Sequence, residues 1–141
     1  MKNWLLDTGP LVAFLDARDD AHDICVSCLD PFRGQLWTTS AVITESMHMV
    51  SGVHDGASLM AELVLATGAI VRECAQPAQL KEAAALMATY TNVPMDFADA
   101  TLVLLAEKLG IHHIATLDRR GFAVYRTRKG KSFRLVLDEL K

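Results

Sequence analysis

Short apolar runs alternate with helix-length segments along this 141-residue chain, and that alternation limits the fold more than any other feature. NWLL (3–6) reads as a strand, PLVAFLD (10–16) as a short helix, and residues 19–32 as a second helix bounded by Pro31 and Gly34. QLWTT (35–39) is a strand; AVITESMHMVSG (41–52) and ASLMAELVLATG (57–68) are helices closed by a glycine; AIVREC (69–74) is a strand. PAQLKEAAALMATYTN (77–92) and FADATLVLLAEKLG (97–110) are helical, the latter again stopping at a glycine. HIATL (113–117) is a strand, and FAVYRT (122–127) is expected to pair with FRLVL (133–137) as a terminal hairpin through RKGK. Strands that take turns with helices build a mostly parallel sheet covered on both faces. The fold class is α/β.

The length suits one domain, residues 1–141, with the basic hairpin 119–137 as part of it. An apolar fraction of 51% beside 22% charged residues belongs to a compact chain rather than a disordered one. No run approaches the length of a membrane span, and the chain enters a strand directly after one lysine, without a signal-peptide pattern. The expected setting is the cytoplasm, with no membrane partner. Cys25 and Cys28 form a lone CVSC inside a helical stretch, with no second pair to complete a zinc site, so buried thiols are expected. The five histidines likewise lack metal-ligand spacing.

In a parallel sheet the functional groups gather beyond the carboxyl ends of the strands, where the following helices begin. That rule sorts the acidic residues. Asp7 ends the first strand and Asp118 the strand HIATL, while Glu45 lies one turn into the helix after QLWTT. Asp96 and Asp99 open the helix DFADATLVLLAEKLG, three apart and on one face. Singly, each has an ordinary reading. Asp7 and Asp118 suit turns, Asp96 suits an N-cap, and Asp99 complements a helix dipole. Convergence is what those readings leave unexplained. Two carboxylates about 4 Å apart repel by roughly 4 kcal/mol at an effective dielectric of 20. A hard divalent cation relieves that repulsion, and a donor set of oxygens without Cys or His favours Mg²⁺, or Mn²⁺, over zinc. Such sites hydrolyse phosphodiesters.

Charge is unevenly spread. Residues 1–118 carry six basic and fifteen acidic side chains, whereas residues 119–141 carry eight and two. The basic stretch supplies Arg119, Arg120, Arg126, Arg128, Lys129, Lys131 and Arg134 as candidate contacts to the other phosphates of such a substrate.

LLDTGPLVAFLD, TTSAVITES, PMDFADATLVLLAEKLG and IATLDRRGFAVYR, in that order, resemble the four successive signatures of the PIN-domain family, and more narrowly of VapC-type toxins. The resemblance implies a three-layer α/β/α fold and an Mg²⁺-dependent ribonuclease. It also implies a homodimer held inactive by a cognate antitoxin. Asp7, Glu45, Asp99 and Asp118 match the family's acidic quartet, and Asp96 an additional aspartate of a subset of relatives. Asp7 and Asp99 would then bind the metal directly, with Glu45 and Asp118 acting through water or a second ion. Gly121 stands where many relatives carry an acidic residue, which leaves the fourth ligand to Asp118 alone. Two other classes compete. A non-catalytic RNA-binding or scaffold protein of this fold is disfavoured by the intact carboxylates. A phosphatase with an aspartyl nucleophile usually shows D-x-D, and here position 9 is Gly.

Overall fold

The computed structural model describes residues 1–140. Five strands form one sheet in the order β3-β2-β1-β4-β5, and every neighbouring pair is parallel. These are β1 (Asn3–Leu6), β2 (Gln35–Thr39), β3 (Ile70–Arg72), β4 (His113–Ala115) and β5 (Arg134–Leu135). The chain winds outward from β1 through β2 to β3, then returns to the other side of β1 for β4 and β5. The direction of winding reverses between β1 and β4. At such a point the loops leaving two adjacent strands diverge and open a crevice at their carboxyl ends.

Helices α1 (Thr8–Leu15), α2 (His22–Leu29), α3 (Ser40–Met49) and α4 (Gly56–Thr67) follow the first two strands, with α1 packed on α2, α3 and α4. Helices α5 (Pro77–Thr89) and α6 (Phe97–Leu109) connect β3 to β4, pack on each other, and bring α6 against β2 and α3. This is the three-layer α/β/α arrangement that alternating strands and helices require. Helix α6 lies at its centre. All residues from Ala100 to Ala106 are buried, as a run apolar except for Thr101 demands when both its sides meet other layers. It stops at Gly110, whose φ of 68° is the left-handed conformation that closes helices at low cost to glycine alone.

The terminal hairpin does not form. Residues Arg119–Val124 are helix α7, and β5 pairs in parallel with β4 instead of folding back on residues 122–127. A 3-10 turn, Val136–Leu140, follows β5. The alternation in FAVYRT misleads because burial follows a helical period here. Phe122 and Tyr125, three apart, are fully buried against each other, with Phe122 also against Phe133, while Val124 is 44% exposed. Asp118 caps the helix by accepting the Gly121 N–H at 2.9 Å.

Cys25, Cys28 and Cys74 are buried free thiols, and no described helix is long and apolar enough to cross a membrane.

Candidate active site

Each of the five candidate carboxylates sits at or within about a turn of a helix start. Asp7 caps α1, Asp96 caps α6 with Asp99 two residues inside it, Asp118 caps α7, and Glu45 lies one turn into α3. Four helix N-termini therefore bring partial positive charge to one edge of the sheet, which offsets part of the cost of gathering carboxylates there.

Asp7 is the most deeply set, with 6% of its surface exposed. Its Oδ1 accepts the Thr8 N–H at 2.8 Å and its Oδ2 the Thr116 hydroxyl at 2.7 Å, so both oxygens are fixed. Thr116 does more. Its Oγ1 accepts the Asp118 N–H at 3.0 Å, and one buried hydroxyl thus positions two carboxylates. Thr38 donates to the Leu6 carbonyl and Thr39 shares a hydrogen bond with Thr101 of α6, which ties β2 to both β1 and α6. The role of Thr116 was not anticipated from sequence. Its signal was the TLD triplet, in which a hydroxyl two residues before a carboxylate can reach back to the strand end.

Asp96 and Asp99 form a reciprocal capping box: the Asp99 N–H donates to Asp96 Oδ1 at 2.8 Å and the Asp96 N–H to Asp99 Oδ2 at 3.2 Å. The capping reading of Asp96 is therefore correct as far as it goes. Asp118 is held by Gly121. A Cβ at that position would stand 2.3 Å from Asp118 Oδ2 and 2.8 Å from the Tyr125 ring, so glycine leaves the space that the carboxylate occupies. An acidic side chain at position 121 is incompatible with this placement of Asp118.

The electrostatics show how closely the groups meet. Burial, then the charges of Asp7 and Asp96, push the Asp99 carboxyl up to about 8. Burial raises Asp7 to about 6 against the hydrogen bonds from Thr116 and Thr8, with Asp96 and Asp118 adding to the rise. Glu45 is raised by burial and by Asp96 and Asp7, while the nearby Thr8 hydroxyl draws it down. Burial, then Asp99, Asp118, Asp96 and Asp7, raise the phenol of Tyr125, which donates to the Pro94 carbonyl at 2.6 Å and so holds the loop before Asp96. Among the described residues none of the three raised carboxyls is paired with a basic side chain. Without a cation the cluster must take up protons.

Among the described residues, no three Asp, Glu, His or Cys side chains already stand at ion-holding spacing. Asp7, Asp96, Asp99 and Asp118 instead accept backbone N–H groups at their own helix starts. The donor set still fits a hard divalent cation: it is all oxygen, mutually repelling and free of basic partners. A further sign is the Thr8 Oγ1, buried beside Asp7 and Glu45 without a hydrogen-bond partner. An unpaired buried hydroxyl costs about 1–3 kcal/mol, which a water or an ion would recover.

The basic residues are more dispersed than a single phosphate track requires. Arg119 pairs with Asp138 at 2.7 Å, Arg134 with Glu139, and Arg128 with Glu107 at 2.7 Å and Glu82 at 3.4 Å. The Arg128 N–H also donates to Glu107. Glu107 lies eight residues beyond Asp99 on α6, roughly 12 Å along the helix and away from the acidic edge. Arg134 pairs in register with His113, at the opposite end of the sheet from Asp118. Arg126 caps the end of α7 through the carbonyls of Ala123, Val124 and Tyr125. Arg120 reaches the Asn92 carbonyl, in the loop leading to Asp96. Lys129 and Lys131 have no ion pair among the described residues.

Residues 4–127 match the PIN domain family. Ribonuclease VapC26 of Mycobacterium tuberculosis is 30% identical over 135 residues, covering 94% of this chain and 98% of that protein. The crystal structure of Mycobacterium tuberculosis VapC20, a sarcin-ricin loop cleaving toxin, superposes with a TM-score of 0.74 at 20% identity, covering 82% of this chain and 89% of that one. At that identity the second likeness is one of fold.

Proposed function

The chain belongs to the PIN domain family, and from that premise we infer that it is a VapC-type toxin endoribonuclease hydrolysing RNA phosphodiester bonds. The observation that carries the reading is the meeting of Asp7 and Asp118 through Thr116 at the switch between β1 and β4, with Asp99 raised to about 8 beside them.

Asp7 and Asp99 would hold Mg²⁺ directly, with Mn²⁺ as a substitute, and Glu45 and Asp118 would bind through water or hold a second ion. Such an ion supplies Lewis-acid stabilisation of phosphate charge and a more acidic water. The protein's part is orientation. Asp7 is immobilised by two hydrogen bonds and Asp118 by its cap, so both present fixed charge. Asp99 must surrender a proton before it can serve, which couples ion binding to proton release. Glu45, whose carboxyl lies beside the Thr8 hydroxyl and Asp96, would orient the attacking water. None of these side chains acts as a covalent nucleophile.

RNA is the substrate; Arg120, which reaches the Asn92 carbonyl in the loop before Asp96, is placed toward the acidic edge, while Lys129 and Lys131, next to Arg128 and without an ion pair among the described residues, would meet phosphates farther along the chain of RNA. A cognate antitoxin protein is the expected regulator and the cytoplasm the expected setting. Exposed Leu59 and Leu65 on α4, with Ile70 and Val71 on the edge strand β3, give apolar surface for a homodimer.

The test is incubation with total cellular RNA in Mg²⁺ and in EDTA, followed by mapping of the cut ends. Discrete cuts in Mg²⁺ alone are expected; intact RNA in both would overturn the reading.

A further inference from the structure

Beside the acidic edge lies an open cavity of about 590 Å³ whose wall includes Glu45 and Asp96. It sits between the start of α3 and the start of α6, with Glu73 and Cys74 after β3 completing its lining. Ala41 and the half-buried ring of Phe97 make an apolar side. The lining also includes the exposed Glu73, whose Oε1 accepts the Ser40 hydroxyl at 2.7 Å. That is the only hydrogen bond Glu73 takes among the described residues.

Volume, aromatic wall and anchored carboxylate together define what fits. The cavity falls in the size range of sites for small organic ligands and leaves ample room for one base. A phosphate is excluded from it by Glu45, Glu73 and Asp96, yet a phosphate held by an ion on Asp7 and Asp99 would bring its own nucleoside to the cavity mouth. The base, not the backbone, must therefore enter. Unstacked RNA bases are read by an aromatic face and by hydrogen bonds to their Watson–Crick edge. A carboxylate only accepts. Guanine alone presents two adjacent donors, N1–H and the N2 amino group, on that edge. Adenine and cytosine each offer one amino group beside an acceptor, and uracil one N–H between two acceptors.

We propose that the cavity between α3 and α6 is the subsite for a guanine next to the scissile phosphate, stacked by Phe97 and read by Glu73, with Ser40 as the residue that positions Glu73. The inference rests on the ribonuclease reading and adds its base preference.

The experiment uses short single-stranded RNAs identical except at the base on each side of the cut, which is G, inosine, A, C or U. Wild type should cleave fastest with G on one side. Inosine, which lacks the N2 amino group, should lower kcat/KM by about tenfold. In Glu73→Ala the ratio of G to inosine should fall to near one. In Glu73→Gln adenine should gain relative to G, because an amide can both donate to and accept from that base. Ser40→Ala should weaken the preference without abolishing it, and Phe97→Leu should lower kcat/KM for all bases alike. The Mg²⁺-induced rise in thermal midpoint, read without RNA, should be the same in every variant and so excludes damage to the ion site.

A base profile that is flat in wild type, or unchanged in Glu73→Ala, overturns the subsite while leaving the ribonuclease intact. An unchanged profile together with lost binding of a cognate protein gives the cavity to a basic peptide segment and overturns it too. Absence of Mg²⁺-dependent cleavage of every RNA refutes the parent reading and this one with it.

Discussion

The Thr116 hydroxyl donates to Asp7 Oδ2 at 2.7 Å, joining two residues 109 positions apart at the place where the sheet reverses its winding. The same oxygen receives the Asp118 N–H. Removing it while keeping the shape should loosen both carboxylates. Thr116→Val is expected to lose about 1 kcal/mol of stability and at least tenfold in Mg²⁺ affinity, whereas Thr116→Ser should retain both. Titration of the thermal midpoint with Mg²⁺ measures this, and wild-type affinity in the valine variant would show that Asp7 orients without help.

Asp7→Asn and Asp99→Asn should abolish Mg²⁺-dependent cleavage, because the amide keeps the shape and removes the charge that holds the ion. In EDTA their stability should be unaltered or slightly higher, since each relieves repulsion inside a buried acidic cluster. A purely capping role forecasts retained activity, as Asn caps nearly as well as Asp. Cleavage rate and thermal midpoint, measured together with and without Mg²⁺, separate the two. The variants should gain less stability from Mg²⁺ than wild type.

Metal-free stability should fall as pH rises from 5 to 8. Asp7 at about 6 and Asp99 at about 8 lie above the ordinary value of 3.8, so the folded form binds more protons than the unfolded one across this window. Their contribution is complete below the unfolded value and lost as pH climbs through the folded values. Asp16, drawn down by Arg18, and Glu107, where burial is outweighed by the hydrogen bonds and charge of Arg128, titrate below the window and do not disturb it. Midpoints in EDTA should decline from pH 5 to 8, and Mg²⁺ should flatten the decline. A level profile in EDTA would show that the carboxylates do not crowd as described.

Gly121→Ala sets two effects against each other. Alanine favours a helix by up to about 1 kcal/mol. Its Cβ, however, would meet Asp118 Oδ2 at 2.3 Å and the Tyr125 ring at 2.8 Å. The clash should win, with a net loss of roughly 1–3 kcal/mol and weaker Mg²⁺ binding as Asp118 is displaced. Stabilisation with unchanged ion affinity would show that Asp118 moves aside freely and is no ligand.

The basic residues divide into two groups. Arg128→Ala should cost about 1 kcal/mol or more, because it leaves Glu107, whose side chain is 9% exposed, without its partner. Its effect on the salt dependence of RNA binding should be small. Arg120→Ala, Lys129→Ala and Lys131→Ala should spare the fold and each flatten the log–log salt slope by roughly 0.7. Equal slopes for all four variants would mean that the ion pairs open when RNA arrives.

Much of the site was legible in the sequence because its parts are local. Asp7 and Asp118 follow apolar strands, and Asp96 and Asp99 stand at capping spacing before TLVLLA; a strand end and a helix start are both decided within a few residues. The α/β class is legible for the same reason, from the alternation of two periods along the chain. The segment after Asp118 was not legible. FAVYRT alternates like a strand, yet Phe122 and Tyr125 bury together only as a helix, with Phe122 against a Phe133 brought in by β5. Nor could composition tell which basic residues are spent. Arg128 answers Glu107 and Arg134 answers Glu139 because packing sets them side by side, and a folded ion pair is invisible to a count of charges. Sequence determined which carboxylates stand at the ends of strands and helices. Tertiary structure alone decided that Thr116 reaches Asp7, since only the return of the chain to β1 puts those distant positions side by side, each one residue past the end of its strand.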